Sequence, residues 1–300
     1  MSDWVIAIAG TPEGARWATV LALISALAHA AFGALQKGRH DPWIARGAID
    51  VALLVLSLPI CLLFFPIPTG ASLWILIGAL VVHFIYKIAV ARAYEKAAYT
   101  VVYPVMRGTA PLVTVIAAVL IFQESYAPLQ WLGVACLSGG ILLLALRNLS
   151  EEKLDLSALR RGLSWALFGG VMVAVYTTYD AWGIRQSVDP FAFLAWFFFF
   201  TALDFPIILW LRLRAMEHPP ALAPLALRGL AGALIAYVSF GGVMLATRLD
   251  KVGEAAILRE TSTVFAALIG WLFLKERVGP RKLALMALIA AGAVLVELGG

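Results

Sequence analysis

Seven ionisable residues stand inside long apolar runs: His29, His83, Lys87, Arg107, Asp180, Arg259 and Glu260. A charge in such a place is costly unless it is paired or used. His83, Tyr86 and Lys87 fall at i, i+3 and i+4, one face of a helix. Tyr99, Tyr103 and Arg107 fall at i, i+4 and i+8, a second polar-aromatic stripe. Rings of this kind can cradle an aromatic side chain, and a planar guanidinium suits a carboxylate. Tyr176 and Asp180 share a third face. Asp180 has the chemistry to meet an ammonium or a proton, although it lies four residues before the end of its run, where simple solvation would also explain it. His29 reads as a hydrogen-bonded helix contact or as a proton carrier with a near-neutral pKa. Trp165 and Tyr237 are further lining candidates.

Arg107 and Arg259 each sit some way into a run, roughly 12–15 Å deep at about 1.5 Å per residue. Two readings stand side by side: an anchor for a substrate anion, or a buried arginine paired with a carboxylate. Glu260 follows Arg259 directly and so cannot share its face. Lys87 is read as snorkelling to the cytoplasmic edge and Tyr99 as part of an interfacial aromatic belt. The possible proton-linked residues are His29, Asp180 and Glu260.

The elements that must position these residues follow from composition. Of 300 residues, 62% are hydrophobic and 14% charged, against roughly 45–50% and 25% in soluble domains. That excludes a soluble enzyme, a coiled coil and a disordered chain. Ten apolar runs approach the roughly 20 residues a membrane helix needs: Trp17–Gln36, Ile44–Phe65, Ala71–Ala91, Ala98–Phe122, Ala127–Leu146, Leu159–Ile184, Phe191–Leu211, Leu222–Thr247, Val252–Leu274 and Arg281–Leu298. The net charge of +5 does not point to nucleic acid, because Lys and Arg occupy the short gaps between runs. Cys61 and Cys136 lie in apolar stretches and read as small core residues.

The chain repeats itself. Trp17–Trp43 aligns with Trp165–Phe191 at a constant offset of 148, so that Asp41-Pro42-Trp43 meets Asp189-Pro190-Phe191. Arg107–Leu144 aligns with Arg259–Val296 at an offset of 152, matching Arg107 to Arg259, Glu124 to Glu276 and Gly140 to Gly292. The first run is therefore read as a span rather than a signal peptide. The organisation expected is one five-helix repeat over residues 1–147, a polar linker over 148–158 and a second five-helix repeat over 159–300. An odd number of helices per half inverts the second half, and inverted halves enclose a central cavity near the midplane. The fold class expected is an all-α polytopic membrane protein. Lys and Arg number 16 on one face of the predicted bundle and four on the other. The positive-inside rule then puts both termini on the non-cytoplasmic side.

The runs closing the fourth helix of each half, Val119–Pro128 (VLIFQESYAP) and Gly270–Pro280 (GWLFLKERVGP), each carry an aromatic-rich stretch, a Glu and a short turn before a Gly-rich fifth helix. In this the chain resembles the drug/metabolite transporter superfamily, in its EamA-type branch, and in its aromatic content the YddG-type exporters of aromatic amino acids. The resemblance implies export of aromatic and other neutral amino acids across a bacterial inner membrane by alternating access. Substrate-binding residues would be His83, Tyr86, Tyr103, Arg107, Trp165, Tyr176, Tyr237 and Arg259. The expected partners are a small-molecule substrate and the lipid bilayer, with a monomer sufficient and no nucleic acid. No metal, cofactor or catalytic residue is expected, since no enzyme or nucleotide-binding signature stands out. The alternatives are a proton-coupled drug or cation efflux carrier and, in another class, a lipid-modifying membrane enzyme with a polar cluster at one interface. Glu124 and Glu276 read as turn or cap residues, and the aromatic run Trp196–Phe200 as lipid-facing or core packing.

Overall fold

A computed structural model of the chain describes residues 2–36, 41–96, 99–151, 156–272 and 279–299. The described elements are all helices: α1 (Ser2–Ile8), α2 (Pro12–Gln36), α3 (Pro42–Phe64), α4 (Gly70–Lys96), α5 (Tyr99–Phe122), α6 (Pro128–Glu151), α7 (Leu156–Gln186), α8 (Pro190–Thr201), α9 (Phe205–Arg214), α10 (Leu222–Leu249), α11 (Val252–Glu260), α12 (Ser262–Leu272) and α13 (Pro280–Leu298). Among the described residues eight stretches are long and apolar enough to cross a membrane, namely α2 to α7, the α8–α9 pair and α10. Leu283–Leu298 is a shorter apolar helix. The ninth expected run is divided into α11 and α12. Of the polar segment expected at 148–158, the described residues are helical, since α6 continues to Glu151 and α7 starts at Leu156; residues 152–155 lie outside the described residues.

Caps explain where several helices begin. Asp41 accepts from the amides of Trp43 (2.7 Å) and Ile44 (3.4 Å), with Pro42 occupying the first helical position. Asp189 repeats the device on Phe191 (2.9 Å) and Ala192 (3.1 Å), ahead of α8. Helix α11 has no side-chain cap of its own. Glu124 supplies it from the end of α5, accepting from Val252 N (2.6 Å) and Gly253 N (3.2 Å). Gln123, with φ of 55°, takes the left-handed conformation that ends α5 just before that residue.

Two breaks open the backbone inside the bundle. Between α8 and α9, Pro206 has no N–H and its ring would clash with the carbonyl of Ala202; Asp204 starts the new helix by accepting from Phe205 N at 2.7 Å. Between α11 and α12 there is neither Gly nor Pro. There the hydroxyls of Thr261 and Thr263 bond the carbonyls of Leu258 and Glu260 at 2.6 and 2.9 Å, a local competition with the helical ladder.

Helix α2 packs on α10, α4 on α7, α3 on α10, α4 on α8, α5 on α7 and α11, and α6 on α13. The last pair meets backbone to backbone: a Cβ on Gly133 would come within 2.6 Å of Gly292 O, and one on Gly292 within 2.7 Å of Gly133 O. The distribution of polarity is inverted relative to a soluble protein. Leu63, Phe64, Trp74 and Leu120 are exposed, while Asp50, Lys87, Arg107 and Arg259 are buried. An exposed apolar rim costs nothing in lipid, and charges held inside the bundle escape the hydrocarbon.

Candidate functional site

Side chains from α2, α4, α7, α8, α10 and α11 converge on one aromatic and charged centre. His83 of α4 bonds Asp180 of α7, Nε2 to Oδ2, at 2.8 Å. The His83 ring lies 4.7 Å from that of Tyr176 and 5.1 Å from that of Phe197. Tyr86, one turn along α4, packs its ring 4.9 Å from Tyr176. Phe240 of α10 adds an aromatic wall, 6.2 Å from Tyr176 and 6.3 Å from His29. Arg259, at the last turn of α11, lays its guanidinium 4.7 Å from the centre of the Phe240 ring and donates weakly to the Tyr176 hydroxyl at 3.4 Å.

A small pocket of about 10 Å³ opens here, lined by Tyr176, Asp180, Phe240, Met244, Thr247 and Arg259. It holds about one water. Several buried polar atoms at this level have no hydrogen-bond partner among the described residues: Asp180 Oδ1, Arg259 Nε and Nη2, and Glu260 Oε2. Leaving such atoms unmet costs about 1–3 kcal/mol each, more when charged, so a cluster of them calls for a guest. One pocket wall offers a carboxylate oxygen and another offers guanidinium donors. That is the complement of a molecule with an ammonium and a carboxylate.

The expected site residues divide. His83, Tyr86, Tyr176, Asp180 and Arg259 are brought together. Arg107 is buried and donates to Glu260 at 2.8 Å, linking α5 to α11. His29 is buried, with Nδ1 3.2 Å from Ser239 Oγ. The Tyr99 and Tyr103 side chains and all of Glu276 lie outside the described residues. Trp165 is away from the centre: it lies three turns, about 16 Å, towards the start of α7, 36% exposed and packed edge-on against Phe168. Tyr237 sits beside the site rather than in the pocket, bonded to Ser57 and 4.3 Å from Phe198.

Two readings need correction. Asp180 is 3% exposed, not solvated, because α4 supplies His83 at its level. Lys87 does not snorkel. It too is 3% exposed, and bonds Asp50 (2.7 Å), Asp204 (2.8 Å) and the carbonyl of Thr201, which the helix break leaves free. Phe240 was missed; its signal was its place one turn beyond Tyr237 on the same helix. Phe197 and Phe198 of the aromatic run are buried core. Glu124 caps α11 as described, and also accepts from the Tyr126 hydroxyl at 2.5 Å. Burial first, and then the neighbouring Glu124 carboxylate, push the Tyr126 hydroxyl far above its usual pKa.

No curated protein matches the chain. A solved crystal structure shares the fold with a TM-score of 0.73 and 16% identity, over 94% of this chain and 98% of its own; identity so low speaks to the fold alone. Residues 160–298, from the early turns of α7 to the end of α13, match the model of the EamA-like transporter family. With eight membrane-capable spans among its described residues, buried charges and an apolar rim, the chain has the build of a multi-pass membrane protein, and its second half is similar to the EamA-like transporters.

Proposed function

We propose that the chain is a secondary carrier of the drug/metabolite transporter superfamily, which exports small amphipathic metabolites, above all aromatic and other neutral amino acids, by alternating access across an inner membrane. Its ten spans form two inverted five-helix halves, with α8–α9 and α11–α12 each counting once. The helix pairing supports this arrangement. If α2 corresponds to α7 and α4 to α10, the contact of α2 with α10 maps onto that of α7 with α4. The contact of α3 with α10 maps likewise onto that of α8 with α4. Pairs such as α6 with α13 map onto themselves.

The observation that carries the reading is the pair of unmet charged groups in one pocket, Asp180 Oδ1 and Arg259 Nε and Nη2, between Tyr176 and Phe240. The ammonium of an amino acid would meet Asp180, the carboxylate Arg259, and the side chain the rings. Binding sites for small molecules usually enclose about 300–1,000 Å³, so this pocket of about 10 Å³ must widen to take its guest. A lipid-modifying enzyme would instead gather its polar groups at one interface.

In liposomes loaded with labelled tryptophan or phenylalanine, the purified chain gives saturable flux, and Asp180→Asn raises the KM. Saturable flux that strictly requires a pH gradient would favour the proton-linked alternative, for which the His83–Asp180 pair is the nearest carrier. Absence of flux together with chemical modification of lipid would overturn the carrier reading.

A further inference from the structure

The three helices that line the pocket meet at one end. Asp180 lies six residues before Gln186, where α7 ends; Thr247 lies two before Leu249, where α10 ends; and Arg259 lies seven after Val252, where α11 starts. At about 1.5 Å per residue, each is within about 10 Å of that end. There two charges grip the α10–α11 turn. Arg185 of α7 donates from Nε to the Thr247 carbonyl (2.8 Å) and from Nη2 to the Asp250 carbonyl (2.7 Å), and so caps the last turn of α10. Glu124, which caps the first turn of α11, stands 3.7 Å from the same guanidinium. Both signs suit their helix ends, since the carbonyl end carries partial negative charge and the amide end partial positive charge. Thr247 lines the pocket and also accepts from Arg185, so the clamp lies directly beyond the pocket wall. Glu124 belongs to the first expected repeat, and Arg185 and the turn to the second.

We infer that Glu124 and Arg185 gate the pocket at this end, and that the carrier opens here when Glu124 lets go of α11 and the α10–α11 turn swings away from α5. The inference rests on the carrier reading above. Tyr126 completes the closure. Its hydroxyl bonds Glu124 at 2.5 Å, and it fills the space beside Gly253, where a Cβ would collide with it. Phe122 lies under the guanidinium, 4.7 Å from ring centre to Arg185 Cζ. The gate opens without carrying a bare charge into hydrocarbon. The Arg185 side chain already meets water at 26% exposure, and the opening that uncovers Glu124 (7%) admits water to replace the amides it gives up. On the count of Lys and Arg this end faces away from the cytoplasm, so in an exporter the gate governs release of the solute.

The test uses the full chain in liposomes, with Cys61→Ala and Cys136→Ser, and a reporter cysteine in the pocket, Thr177→Cys. In separate liposomes Val188→Cys, at a position 90% exposed and three beyond Arg185, marks the face that carries the gate. A membrane-impermeant thiol reagent is applied to each face in turn. Glu124→Gln is expected to speed labelling of the pocket severalfold from the marked face only, and Arg185→Gln to do the same. Unchanged labelling in variants that melt as the parent does, or faster labelling from the opposite face, would overturn the gate. A second measurement needs neither charge variant. Tyr126→Cys with Gly253→Cys, which share the space the Tyr126 ring vacates, are bridged by a short bifunctional methanethiosulfonate. The bridge is expected to abolish phenylalanine flux, and dithiothreitol to restore it; full flux in the bridged chain would also overturn the gate. Faster labelling in a chain that moves no amino acid would keep the gate and end the carrier reading.

Discussion

Arg107 and Arg259 align with each other at an offset of 152 in the sequence and meet opposite fates. Arg107 lies within α5, which stays helical through Pro104 and Pro111, and is matched to a buried carboxylate on α11. Arg259 stands at the end of a broken helix with two nitrogens unmet, one ring beneath it and a weak hydroxyl contact. The residue after each explains much of the divergence. Gly108 follows Arg107, where a Cβ would come within 2.8 Å of Leu142; Glu260 follows Arg259 and turns away to take the other arginine. One aligned arginine is thus a tie between α5 and α11, and the other an open hand.

The largest effect should come from cutting the tie. Glu260→Ala leaves Arg107 buried against a lost partner, at a cost of about 3–5 kcal/mol, read as a large fall in melting temperature in detergent. Adding Arg107→Met should restore most of it. Next comes the open hand. Arg259→Met removes charge-assisted bonds to a carboxylate, worth about 1.5–3 kcal/mol, so flux should fall roughly 10- to 100-fold while the melting temperature barely moves. If Arg259→Met melts as badly as Glu260→Ala, the contrast between the two arginines fails. The smallest effect is at Tyr176→Phe. Its contact with Arg259 is long, so KM should rise only a few-fold, about 1 kcal/mol or less, with unchanged stability.

Much of the scaffold could be read from residues alone. Apolar runs marked where the membrane-capable helices lie, and Asp41-Pro42 and Asp189-Pro190 marked two starts through capping chemistry that acts within four residues. Local signals failed where partners are distant. Lys87 was placed at an edge by counting along its own helix, yet Asp50 and Asp204 lie 37 and 117 positions away. Asp180 was judged by its distance from a helix end, and only the packing of α4 on α7 brings His83 to it. The break at Thr261 has no Gly or Pro to announce it. Trp165 fell on the correct face of α7 but three turns too far along, a distinction that periodicity does not make.

The most direct test is equilibrium binding of labelled phenylalanine to purified protein, comparing Arg259→Met with the double variant Arg107→Met, Glu260→Gln. The double variant should bind within a few-fold of the parent, and Arg259→Met should lose binding by at least tenfold. Equal loss in both, or full binding by Arg259→Met, would contradict an amino acid site built on Arg259 and Asp180.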